Sequence, residues 1–184
     1  MAELAPARRP SPAAPGWRAL GGIALAGIAA DSRRVRPGFL FAALPGVGAP
    51  GVGIDGRAYI ADAVANGAAA ILAPAGTAWP PGVPPRPLIE DAEPRRRLAE
   101  LASAFAGPQP RTIVAVTGTN GKTSTVEFLR QLWALAGHKA ASLGTLGLVT
   151  EEGREPGALT TPDPVVLAET MARLARADVQ RVAI

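Results

Sequence analysis

The sequence predicts an α/β protein, with a small N-terminal α/β domain followed by the start of a doubly wound parallel-sheet domain. Two observations lead to this fold class. Short apolar runs bounded by Gly and Pro alternate with segments whose apolar residues recur at helical spacing, which is the order of strands alternating with helices. A β-branched run also leads directly into a Gly-rich turn and a helical segment, as at the start of a βαβ unit.

The first domain is predicted over residues 17–107, after an Ala- and Pro-rich tail, residues 1–16, that is expected to be disordered. Its clearest strand is residues 39–44, a compact apolar run between two Pro-Gly pairs. The later elements follow from spacing and turn residues: a helix over 57–66 capped by Gly67, a strand over 68–73, a proline-rich loop over 74–87 and a helix over 94–105.

The second domain is predicted over residues 108–184, and the Gly-Pro-Gln-Pro segment at 107–110 is the predicted linker at the boundary. Its predicted elements are strands over 112–116, 140–143 and 181–184, and helices over 122–136 and 164–176. A sheet of about three strands exposes an apolar edge and leaves one face uncovered. We therefore expect this domain to be incomplete.

The strongest motif is a phosphate-binding loop (P-loop) between the first strand and first helix of the second domain. Its candidate nucleotide-binding residues are Gly118, Thr119, Asn120, Gly121, Lys122, Thr123 and Ser124. The glycines let backbone N–H groups approach phosphate oxygens, the lysine can neutralise phosphate charge, and the hydroxyl of the threonine after it can bind Mg²⁺. Val116 replaces the first glycine of the common pattern, so the motif is the shorter G-x-x-G-K-T. The second domain is thus predicted to be a P-loop domain with a nucleotide site, which the resemblance described below implies is that of an ATPase domain.

Composition and charge exclude several other functions. The net charge is +4, but the basic residues are scattered and no aromatic residues interleave with them, so a nucleic-acid surface is not expected. The absence of cysteine excludes disulfides and thiolate metal sites. Neither a secretory signal nor an apolar run long enough to span a bilayer is found. We expect a cytoplasmic protein without a membrane or nucleic-acid partner.

Five segments together resemble the Mur ligase family, and they cover the chain from about residue 24 to its end. The P-loop segment, residues 117–123, is similar to the shortened ATP-binding signature of that family. In the segment at 31–42, quoted next, Phe39 stands where the corresponding family motif commonly has Asp. The other four segments are D-S-R-R-V-R-P-G-F-L-F-A at 31–42, D-G-R-A-Y-I at 55–60, L-G-T-L-G at 143–147 and L-T-T-P-D-P at 159–164. The last two are most similar to the members that add the third residue of the cell-wall peptide.

The resemblance implies a three-domain enzyme that uses ATP and Mg²⁺. Its first domain binds the uridine nucleotide of UDP-MurNAc-L-Ala-D-Glu, its central domain binds ATP, and its C-terminal domain brings the amino acid, meso-diaminopimelate or lysine. An acyl phosphate on the substrate is then converted to an amide. Lys122 is implied as the catalytic residue, Thr123 as the Mg²⁺ ligand, and Ser32, Thr160 and Thr161 as substrate-binding residues. Because the C-terminal domain is absent here, we expect the isolated chain, a monomer when full length, to be inactive as a ligase.

Other interpretations remain open at this point. Thr160 and Thr161 fit a turn or helix cap before Pro164, and Asp31 and Arg33 fit a local salt bridge. The alternative enzyme is the family member that adds D-Ala-D-Ala to the UDP-MurNAc-tripeptide. A non-catalytic nucleotide-binding module is the alternative from another class.

Overall fold

The computed structural model describes residues 22–46, 55–156 and 163–184. The chain forms two compact units, Met1–Ala106 and Gly107–Ile184. Within the described residues, no helix is both long and apolar enough to cross a bilayer.

The first unit contains a four-stranded sheet in which all neighbouring strands are parallel. Its strands lie in sequence order: β1 (Gly27–Ala29), β2 (Phe39–Ala42), β3 (Ala70–Pro74) and β4 (Leu88–Asp91). Two 3₁₀ turns (Ser32–Arg34 and Gly56–Tyr59) and the helices α1 (Ile60–Ala65) and α2 (Pro94–Ala106) connect and flank them.

The two central strands carry the core of this unit. Leu40 and Phe41 of β2 and Ile71 and Leu72 of β3 are almost completely buried. Both strands are continuous apolar runs rather than alternating ones, as expected for a parallel strand covered on both faces. Ile60 of α1 packs in one core cluster with Phe41 and Ile71.

The sequence-based elements of this unit are confirmed in their order, with three differences. The helix predicted over 57–66 begins as a 3₁₀ turn, because Asp55 accepts a hydrogen bond from the backbone N–H of Arg57 and caps that turn. Strands β1 and β4 were not predicted. The first is a three-residue Gly-Ile-Ala segment, and the second ends in two carboxylates, so neither carries a clear strand pattern.

The second unit contains a five-stranded mixed sheet in the order β5-β9-β6-β7-β8. Its elements along the chain are β5 (Thr112–Val114), α3 (Lys122–Leu135), β6 (Ala140–Gly144), β7 (Gly147–Thr150), β8 (Gly153–Glu155), α4 (Pro164–Arg176) and β9 (Arg181–Ala183). The parallel part, β5-β9-β6, agrees with the doubly wound prediction.

The two antiparallel strands, β7 and β8, were not among the predicted elements of the parallel sheet. Strands β6, β7 and β8 form a meander joined by two tight turns. Gly147 and Gly153 have φ of 85° and 140°, a backbone region that glycine enters without steric cost. Each of these two turns reverses the chain over two residues, where a parallel connection needs a longer crossover.

One face of α3 is apolar and exposed. Phe128, Leu132 and Leu135 are 62%, 61% and 85% exposed. They are spaced by four and three residues and so lie along one side of the helix. Ile113 of β5 is also 41% exposed. This unit therefore has an exposed apolar surface on α3 and an exposed apolar side chain on β5.

Candidate nucleotide-binding site

The P-loop connects β5 to α3, and its glycines have backbone angles that other residues rarely adopt. Gly121 is the N-cap of α3 with φ of 77°, and Gly118 has φ of 149°. Residues with a Cβ atom are strained at such angles, so glycine is favoured at both positions. Because Gly121 has no side chain, it cannot cap the first N–H groups of α3. Those groups and the helix dipole are left to bind an anion.

Lys122 bends back over the loop that precedes it. Its ammonium group donates a hydrogen bond to the carbonyl oxygen of Gly118 and a second, 3.4 Å long, to that of Thr119. No carboxylate among the described residues lies within ion-pair distance of this lysine. Its charge is therefore available to phosphate oxygens at the mouth of the loop.

Thr123 follows in the first turn of α3, and its hydroxyl lies 3.4 Å from that of Thr145. A hydroxyl oxygen is a suitable ligand for a hard cation such as Mg²⁺. The described residues contain no group of three carboxylate, imidazole or thiolate side chains that would hold a metal alone. Further ligands of such a cation can come from the phosphates of a nucleotide. The remaining loop residues, Thr119, Asn120 and Ser124, are exposed.

Glu127 lies one turn beyond Thr123, and both residues line a small cavity beside the loop. Its carboxylate accepts hydrogen bonds from Arg130, from the Gln131 amide at 2.9 Å and from the Ser142 hydroxyl at 3.0 Å. The Arg130 hydrogen bonds are the main cause that lowers the pKa of Glu127 to about 2, and the other two donors act in the same direction. The Glu127 carboxylate is therefore ionised and links α3 to β6 through its hydrogen bond with Ser142.

Ser32 lies in the first unit, at the start of a 3₁₀ turn, and is 7% exposed. Its carbonyl oxygen accepts a hydrogen bond from the side-chain amide of Asn66 at 3.0 Å. The residues on either side form the local salt bridge anticipated above, since Arg33 donates to both carboxylate oxygens of Asp31. Those hydrogen bonds lower the pKa of Asp31.

Asp55 and Arg57 repeat the same arrangement at the second 3₁₀ turn. The Arg57 backbone N–H donates to Asp55 at 2.9 Å, and its guanidinium donates to both carboxylate oxygens. The shared D-x-R spacing is the sequence signal for this second pair, which was not predicted. Each aspartate therefore caps its 3₁₀ turn and pairs with the arginine two residues later.

Thr160 and Thr161 lie outside the described residues. Asp163, just after them, is the N-cap of α4 and accepts hydrogen bonds from the N–H groups of Val165 and Val166, at 2.8 and 3.1 Å. The helix begins at Pro164, as predicted. Asp163 thus caps the N-terminus of α4.

Two family models match the chain. The model described as Mur ligase family, catalytic domain, matches residues 24–106, and that described as Mur ligase middle domain matches residues 116–184. The chain belongs to the Mur ligase family.

Several relatives of this Mur ligase chain carry the same name, UDP-N-acetylmuramoyl-L-alanyl-D-glutamate–2,6-diaminopimelate ligase. The protein from Rhizobium meliloti is 51% identical over 153 residues, which are 83% of this chain and 30% of the relative. The protein from Caulobacter vibrioides is 49% identical over 166 residues, 87% of this chain and 32% of the relative. The chain therefore spans about a third of the length of these relatives.

A solved structure supports the same family assignment. The structure of a UDP-N-acetylmuramoyl-L-alanyl-D-glutamate–2,6-diaminopimelate ligase superposes with a TM-score of 0.70 and 25% identity. The match covers 87% of this Mur ligase chain and 32% of the solved chain.

Proposed function

We propose that this chain is part of an ATP-dependent ligase of peptidoglycan precursor synthesis that adds meso-diaminopimelate to UDP-MurNAc-L-Ala-D-Glu. The P-loop carries the proposal: glycines 118 and 121 adopt angles open to glycine, and Lys122 and Thr123 follow at the start of α3. The names of relatives that are 47% to 51% identical support the choice of substrate and amino acid.

Each P-loop residue has a role in this proposal. Bound ATP supplies the phosphoryl group that activates the substrate carboxylate. The backbone N–H groups at the start of α3 hold phosphate oxygens, and Lys122 moves from its two loop carbonyls to neutralise the charge on the transferring group. Thr123 provides the hydroxyl that holds Mg²⁺ against the nucleotide, while Thr119, Asn120 and Ser124 line the nucleotide site.

The first unit is proposed to bind the uridine nucleotide. Ser32 is the proposed contact, since its turn is held by the Asp31–Arg33 pair and by Asn66. Thr160 and Thr161 are proposed to bind the muramoyl-dipeptide part of the substrate. Because such an enzyme depends on ATP, we place it in the cytoplasm, and we propose a monomer in its natural full length.

The test is a product assay with the natural polypeptide that carries these residues. UDP-MurNAc-L-Ala-D-Glu, ATP and Mg²⁺ are supplied with either meso-diaminopimelate or lysine, and ADP and the tripeptide precursor are measured. We expect product with meso-diaminopimelate and loss of product in Lys122→Ala. A parallel assay supplies the UDP-MurNAc-tripeptide and D-Ala-D-Ala. Product in that assay, and none in the first, would identify the other ligase. Nucleotide binding without any product would favour a non-catalytic module.

A further inference from the structure

We propose that Thr145 is a positioning residue of the nucleotide site, which orients the hydroxyl of Thr123 toward Mg²⁺. This inference rests on the proposed function, because it assumes that the P-loop binds a magnesium nucleotide. The observation that carries it is the 3.4 Å separation between the two hydroxyl oxygens, in residues 22 positions apart.

The turn that contains Thr145 is fixed by its surroundings. Thr145 and Leu146 form the two-residue connection between β6 and β7, and Gly144 pairs with Gly147 across its base. Gly147 adopts a φ of 85°, which closes the turn. The carbonyl oxygen of Leu146 also accepts a hydrogen bond from the Arg154 guanidinium of β8. The tip of the hairpin is therefore tied to the next strand.

A second polar bridge holds the same hairpin against the P-loop helix. Glu127 of α3 accepts a hydrogen bond from Ser142 of β6 at 3.0 Å. Thr123 and Glu127 are four residues apart and so lie on one face of α3, and Ser142 and Thr145 lie three residues apart on the hairpin. The two bridges run in parallel, and their four residues line one cavity.

The chemistry of a hydroxyl explains why such a partner matters. A threonine hydroxyl has one proton to donate and two lone pairs, and a metal ion takes only a lone pair. When Thr123 donates its proton to Thr145, its lone pairs point away from the hairpin and are available to the cation. Without that acceptor the hydroxyl rotates freely, and part of its time is spent with the proton facing the metal site.

The expected effect is modest because Thr145 is exposed and water can partly replace it. Loss of a group that orients a metal ligand typically weakens metal binding by about ten- to a hundredfold. An exposed hydroxyl belongs at or below the lower end of that range, at about three- to tenfold. The loss should appear only when Mg²⁺ is present.

The experiment compares ADP binding by the natural polypeptide in Mg²⁺ and in a chelator, using isothermal titration calorimetry. The measured quantity is the dissociation constant in chelator divided by the dissociation constant in Mg²⁺. We expect Thr145→Val to reduce this ratio by about three- to tenfold, with affinity in chelator unchanged. Thr145→Ser, which keeps the hydroxyl, should restore it. Thr170→Val is the matched control. The Thr170 hydroxyl donates a hydrogen bond to the backbone carbonyl oxygen of Val166 within α4, at 2.8 Å, and so lies in another helix than the P-loop.

Two results would overturn the inference. One is a wild-type ratio in Thr145→Val, and the other is an equal loss of affinity with and without Mg²⁺, which indicates only a disturbed loop. If the valine variant does not fold, Thr145→Ala provides the same comparison. Failure of the wild-type protein to bind ADP at all would overturn the proposed nucleotide site, and the role of Thr145 with it.

Discussion

The aromatic ring of Phe39 lies over Gly27, its register partner on the neighbouring strand. A Cβ atom added to Gly27 would be 2.4 Å from the ring carbon Cζ. At this position, where the family motif commonly has Asp, the Phe39 ring covers backbone that a glycine leaves bare. Gly27 and Phe39 therefore form one packing unit at the edge of the first sheet.

Gly27→Ala is expected to destabilise the protein by about 1 to 3 kcal/mol, because the added methyl group overlaps the ring. Urea unfolding of the natural polypeptide measures the change. In Phe39→Ala the same glycine substitution should cost much less, so the double variant gives a coupling energy. Additive effects of the two substitutions would show that the close approach has no energetic consequence.

Lys122→Ala should weaken ADP binding by about ten- to a hundredfold, because a charged hydrogen-bond donor to phosphate is lost. Isothermal titration calorimetry measures the affinity. Lys139→Ala is the control: Lys139 is exposed and forms a 3.8 Å surface ion pair with Asp178. Equal affinities for the wild type and Lys122→Ala would contradict the assignment of the loop.

Gly121→Ala and Gly137→Ala form a matched pair. Both glycines have left-handed φ angles, 77° and 80°, and a Cβ atom at either meets nothing within 4 Å. Each substitution should therefore cost about 1 kcal/mol of stability through backbone strain alone. Only Gly121→Ala should also lower affinity for ADP, since Gly137 lies at the opposite end of α3. A similar loss of affinity in both variants would mean that strain anywhere in the helix disturbs binding.

Glu127→Gln should destabilise the protein by about 1 to 3 kcal/mol at neutral pH. The folded protein lowers the pKa of this carboxyl from 4.5 to about 2, so its contribution is complete above pH 4.5 and disappears as the pH falls through 2. The difference in unfolding free energy between wild type and variant should shrink over that range. Glu169→Gln, on the exposed side of α4, provides the control. A difference that does not change with pH would rule out a role for the charge.

Sequence patterns identified the local features of the fold but not its long-range contacts. Helix α4 was predicted with its observed bounds, because Asp163 and Pro164 are strong start signals and the apolar spacing is regular. The P-loop was identified from its glycines and lysine. Strand β1 was missed, since Gly27–Ala29 has little strand propensity and is fixed by pairing with β2.

The contacts around the candidate sites also needed the fold. Asn66 reaches the Ser32 carbonyl across 34 positions, and Thr145 reaches Thr123 across 22. No periodicity links such residues, because each contact depends on how strands and helices pack. The unexpected meander β6-β7-β8 likewise depends on Gly147 and Gly153, which also fit ordinary loop positions.

The position of β9 has a consequence for the order of folding. This strand is formed near the end of the chain yet lies between β5 and β6, and Ile184 extends its pairing to Val114 and Val116. Until residues 181–184 leave the ribosome, β5 and β6 have no hydrogen-bonded neighbour in common. The P-loop strand, which lies at the edge of the sheet, therefore gains its one neighbour, β9, only after nearly seventy later residues are made. Such distant pairing is slow, and a nascent chain would expose its apolar strands during that interval.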